Sequence, residues 1–249
     1  MAVKGFLLCA HGALFVLLPG FLMFAILGRM PRADRSLLWW GAGALLIVTI
    51  PQRFFESLAA HLLYADSTPA LASVAAAALL AAAFMVLAVY MVIKFRRVSG
   101  DALIPGGTAI GLGMGWVNQL FQGFVILGVG IRMLQGDATA DLVVQESALS
   151  VGQLGVNALG SLLGRVAWLL VSAALGALIG KALHDRRRRL LWLAVALHAG
   201  ILVVNGFLVV GLAGKLWLAT AAALAFEVVL VVAAWWWLRS AAEEAARGS

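Results

Sequence analysis

The sequence predicts an all-α fold: a polytopic integral membrane protein, a seven-helix transmembrane bundle forming a single domain over residues 1–249, with the N-terminus out and the C-terminus in. Three observations predict it. Of the 249 residues, 64% are hydrophobic and 12% charged, against roughly 25% charged in ordinary soluble domains. Apolar runs of about 20 residues or more, the length that crosses a bilayer, recur along the whole chain and leave no polar interval long enough for a soluble domain. Thirteen Lys and Arg residues fall in one set of alternate connections and three in the other, an asymmetry that retention of cations on the cytoplasmic side produces.

The spans fall at about 5–28, 37–64, 70–93, 102–131, 147–180, 190–211 and 216–238. The first follows Lys4 and is too long for the core of a signal peptide, so it is expected to be retained. It holds Cys9, the only cysteine, which allows no internal disulfide and no thiolate metal cluster within one chain. The second, fourth and fifth exceed the minimum length and must tilt, kink or extend past the hydrocarbon, and Pro51 marks a kink in the second. The third, with Ala72, Ala75–Ala78 and Ala81–Ala83, is smooth enough to pack inside the bundle or against a partner. Gly111 and Gly115 in the fourth, and Gly152, Gly160, Gly164, Gly176 and Gly180 in the fifth, let helix backbones approach closely and place these two spans centrally.

The connections carry the orientation. Arg29, Arg32 and Arg35 follow span one, Lys94, Arg96 and Arg97 span three, Lys181 and Arg186–Arg189 span five, and Arg239 and Arg247 span seven. Lys4, Arg132 and Lys215 lie on the other side. Trp39, Trp40 and Trp235–Trp237 sit near the basic ends, where amphipathic rings favour the interface. The net charge of +7 is thus a topology signal, and no nucleic-acid partner is implied.

Function is sought among groups that are expensive to bury, since an ionisable side chain at mid-bilayer costs at least ~2.5 kcal/mol. Gln52, Arg53 and Glu56 lie within about one turn of span two, with His61 nearer the outer surface. Asn118, Gln119 and Gln122 form a polar turn in span four, and Gln153 and Asn157 share a face of span five. Together these form a polar intramembrane cluster, read either as interhelical hydrogen bonding or as an outward-facing cavity. Arg53 and Glu56, three residues apart, form either a self-neutralising ion pair or part of a binding site. Arg165 and Glu227, each uncompensated near mid-span, are expected to form a salt bridge between spans five and seven. His198 and Asn205 share a face of span six, seven residues apart. A water-activating metal needs about three protein ligands at one depth. Only His11, Glu56 and His61 suggest such a set, so the residues imply no cofactor, no metal and no catalytic group. No Ser, Cys or Asp dyad within a span suggests a nucleophile.

In span number, orientation and local pattern the chain resembles the YhfC-type intramembrane metalloproteases, relatives of the PrsW and CAAX-processing (CPBP) proteins. Span two with Gln52, Glu56 and His61 looks like the family's polar second span. Asp101-Ala102 leading to Gly111-Leu112-Gly113-Met114-Gly115 looks like its glycine-rich stretch, and His198 with Asn205 resembles its late histidine helix. The resemblance implies metal ligands from several helices. Here Ala82–Tyr90 carries no carboxylate or base where a Glu-Glu-x-x-x-Arg pattern is expected. Met114 stands for a histidine, Asn118-Gln119 for a downstream glutamate, and Val171-Ser172 for another histidine. The resemblance therefore implies a catalytically degenerate member.

The leading expectation is a non-catalytic protein of the bacterial cytoplasmic (inner) membrane. It would act as scaffold or accessory subunit through contacts with the lipid bilayer, another membrane protein or itself. The alternatives are a transporter or lipid-binding component using an outward-facing polar cavity, and an active intramembrane metalloprotease.

Overall fold

The structure, a computed structural model, describes residues 2–30, 33–63, 70–136, 150–211 and 216–247, with side chains at all of these except 53, 55–63, 70–74, 157, 206–211, 216–220, 224, 241–242 and 244–247. Among the described residues the fold is all-helical, with no strand, as a lipid-embedded backbone requires: helices satisfy their polar groups internally. The long helices are α1 (Ala2–Gly28), α2 (Ser36–Leu63), α3 (Ala70–Phe95), α4 (Leu103–Leu134), α5 (Val151–His184), α6 (Arg188–Gly211) and α7 (Leu216–Arg247), with a 3₁₀ turn at Gly100–Ala102 before α4. Six of them are long and apolar enough to cross a membrane, and α2 contributes a shorter apolar stretch, Ser36–Gln52. The chain is thus built as a multi-pass membrane protein. Helix α2 runs unbroken through Pro51, and α5 begins at Val151 rather than near 147.

The most extensive contact is between α4 and α5, and its cause is compositional. A Cβ on Gly107 would run into the Gly176 carbonyl, and one on Gly176 into that of Gly107. With hydrogen in both places the two backbones touch. Helix α4 is glycine-faceted on other sides as well: Gly113 meets the Leu38 carbonyl of α2, and Gly123 and Gly130 lie against Gly12 and Cys9 of α1. The pair expected at the centre of the bundle is therefore there, held by van der Waals contact where no hydrophobic force distinguishes helix from lipid.

Around this pair the other helices take two positions. Helix α2 packs on α4, α3 on α2, α6 on α3, and α5 on α6, so α4, α2, α3, α6 and α5 close a ring. Helices α1 and α7 lie outside it, α1 on α4 and α5, α7 mainly on α5. One end of the bundle collects the basic residues. There Arg29 lies over the Trp235 ring at 5.3 Å and Arg96 over Trp40 at 5.2 Å. Arg96 reaches Asp34 at 4.0 Å, and His184 approaches Asp101 at 3.9 Å. The ends of all the helices that carry the alternate basic connections meet in one layer.

Candidate functional site

Side chains of all five ring helices line a half-open cavity of about 640 Å³ at mid-span, a size typical of small-ligand sites. At 1.5 Å per residue its wall lies about 15–25 Å from the basic end on most of its helices. Its polar lining comes from Thr49 and Gln52 of α2, Asn118 and Gln122 of α4, Ser172 of α5 and His198 of α6. Met85, Met114, Phe121 and Trp168 supply apolar and aromatic surface. No charged side chain lines it among the described residues.

Two wall groups have no hydrogen-bond partner: Ser172 Oγ and His198 Nδ1. His198 is 3% exposed and stands edge-on to the Trp168 ring, centroids 5.3 Å apart. A buried donor or acceptor left unpaired costs roughly 1–3 kcal/mol, which a ligand meeting both groups would recover. Thr49 is satisfied locally, donating to the Leu45 carbonyl at 2.7 Å.

The structure sorts the expected polar cluster. Gln52, Asn118 and Gln122 converge on the cavity. Gln119 does not: it is fully buried in the core, and neither its amide oxygen nor its nitrogen has a partner. Gln153 does not either, because α5 starts so late that Gln153 is in its first turn. There it closes a capping box with Ser150: the Ser150 N–H donates to Gln153 Oε1 at 2.8 Å, and the Gln153 N–H to Ser150 Oγ at 3.2 Å. The side chains of Arg53, Glu56, His61 and Asn157 lie outside the described residues, as therefore does the His11, Glu56 and His61 set. Asn205 is half-buried two turns beyond His198. Among the described residues no three His, Cys, Asp or Glu side chains group as metal ligands.

A second polar site lies on the opposite face of α5, between α1 and α7. His11 Nε2 and Ser161 Oγ are hydrogen-bonded at 2.8 Å, and the hydroxyl also donates to the Ala158 carbonyl at 3.2 Å. A Ser–His pair thus exists between spans, where the sequence shows none within one. The two residues are 150 positions apart, and only the packing of α1 on α5 joins them. Ser161 Oγ thus lies between the His11 ring and the Ala158 carbonyl, and the ring tautomer sets which of His11 and Ser161 donates to the other. Arg165 lies over the Phe15 ring at 5.2 Å and within electrostatic reach of Glu227. The expected salt bridge takes a looser form: no Arg165–Glu227 contact within 4.0 Å is among the ion pairs of the described residues. Gly164 is the reason the carboxylate sits where it does, since a Cβ there would collide with it.

The chain matches no family model, no curated protein and no solved structure. Among the described residues the mid-span cavity offers hydrogen-bonding side chains and no charged one, so they can hold a polar neutral group.

Proposed function

We propose that this chain is a non-catalytic seven-span protein of the bacterial cytoplasmic membrane, N-terminus out, with a YhfC-like architecture. It acts as scaffold or accessory subunit by holding an uncharged polar group of a membrane partner in the mid-span cavity. The observation that carries this reading is a coincidence of positions. Met114, Asn118 and Ser172, at or beside the places where the YhfC resemblance expects metal ligands, wall the same cavity as His198. A thioether, an amide and a hydroxyl in place of histidines and a carboxylate leave binding capacity and remove the means of activating water. The partner is a lipid headgroup or a polar segment of another membrane protein or of a second copy.

A second reading is a transporter of a small neutral solute. The mid-span depth of the cavity favours it, since transporters bind near the bilayer midplane.

Extraction in mild detergent tests the first reading. The wild type is expected to carry a stoichiometric protein or lipid that Asn118→Leu combined with His198→Leu releases. A strictly monomeric, partner-free particle would count against it. Zinc at about one per chain, lost in His198→Ala, would overturn the non-catalytic assignment.

A further inference from the structure

A cleft of about 840 Å³ lies at the basic end between α3, α6 and the end of α5. Its mouth carries Lys94, Arg186 and Arg188, and its floor is apolar, with Leu87, Leu191 and Trp192 among its residues. We propose that this cleft binds an anionic phospholipid, the phosphate held by Lys94, Arg186 and Arg188 and one acyl chain laid along the floor.

Three independent features lead there. First, the cations are available. The acidic groups nearby are engaged elsewhere, Asp34 with Arg96, Asp185 with Lys181, and Asp101 with His184. None of the three cleft cations has a carboxylate partner among the described residues. Second, the shape is that of a lipid rather than of a free anion. From Lys94 down to Ala83 the floor descends about 16 Å along α3, close to one leaflet of hydrocarbon. Trp192 is 74% exposed on its flank, so the cleft opens sideways to the bilayer as well as upward. Third, Arg186 occupies the left-handed region, φ 55°, at the residue that ends α5 through Arg186 N–H to Leu183 and Arg187 N–H to Ala182 hydrogen bonds. Glycine is the unstrained residue for that backbone. An arginine there sets a strained backbone against a cationic head at the cleft mouth.

Thermal unfolding of the full chain in a neutral detergent, with lipid added, tests the proposal. Phosphatidylglycerol is expected to raise the midpoint, and phosphatidylcholine and inorganic phosphate are not. Replacing Lys94, Arg186 and Arg188 together by Gln should raise the half-saturating phosphatidylglycerol fraction roughly a hundredfold, at about fivefold per cation near the surface. Arg186→Gly guards against misfolding, because it relieves the left-handed strain while removing a cation. It should unfold no lower than wild type without lipid and yet require about fivefold more phosphatidylglycerol. Arg239→Gln, a cation at the same end outside the cleft, should behave as wild type. An equal shift with phosphatidylcholine, a full shift with inorganic phosphate alone, or an equal loss in Arg239→Gln would each overturn the proposal.

Discussion

The residue Gly107 shows how narrow the tolerances of this fold are. Because its missing side chain is where the Gly176 carbonyl sits, Gly107→Ala must push α4 and α5 apart and should cost roughly 1–3 kcal/mol or more. Gly43, with nothing within 4 Å of an added Cβ, should instead gain about 0.5–1 kcal/mol as Ala. Denaturant titration of the two variants measures the difference. If both moved the same way, close backbone contact would not be what holds the pair. Gln119 supplies the converse case. Its amide is buried and unpaired on both atoms, so Gln119→Met, of similar volume, should stabilise by about 1–3 kcal/mol, and a lower midpoint would show that the amide has an essential partner. At this scale the sequence signalled the cavity in part. Asn118, Gln122 and His198 are conspicuous in an apolar span because they are expensive to bury. Ser172 and Thr49 are not, because a hydroxyl can bond to its own helix, as Thr49 does to Leu45. Gln153 misled for the opposite reason, since a glutamine in a first turn serves its own helix end.

Among the elements, α3 and α5 end alike. Arg97, φ 52°, follows α3 as Arg186 follows α5. There the Arg97 N–H donates to the Lys94 carbonyl at 3.1 Å and the Val98 N–H to Ile93 at 3.0 Å. Arg97→Gly should therefore stabilise the chain by about 0.5–1 kcal/mol through relief of left-handed strain, and a measured loss would mean that the guanidinium contributes more than the backbone forfeits. The start of α2 is fixed by polar chemistry: Asp34 accepts from the Ser36 N–H at 2.9 Å and the Ser36 hydroxyl at 2.8 Å. These hydrogen bonds hold its carboxyl below the usual carboxylate range. Helix positions were legible because apolar length and basic punctuation determine them. Their exact ends were not, since caps such as Ser150 lie inside what hydropathy alone assigns to a span.

At the scale of the whole molecule, the described basic residues of alternate connections, such as Arg29 and Arg96, gather at one end of the bundle, which makes membrane orientation a single experiment. Cysteines placed at Arg35 and Ser99 in a Cys9→Ala background should resist an impermeant thiol reagent added to intact cells, while one at Gly136 should react. The reverse pattern would invert the orientation. What the sequence could not convey is which helices are neighbours, because spans three to five advertise close packing without naming a partner. The five-helix ring, and with it the cavity, arises from pairings such as α3 with α6 that no local pattern encodes. His11 illustrates the loss: its partner Ser161 is on a helix synthesised long after its own.

Helix α1 makes its principal contacts with α4 and α5 rather than with α2, its neighbour in sequence. During biosynthesis it must therefore stay in the bilayer, its glycine face bare toward acyl chains, until about a hundred further residues have emerged and α4 arrives to cover it. Assembly cannot proceed in the order of translation. A nascent chain halted before Leu103 leaves its first helix without the surface it is shaped to fit.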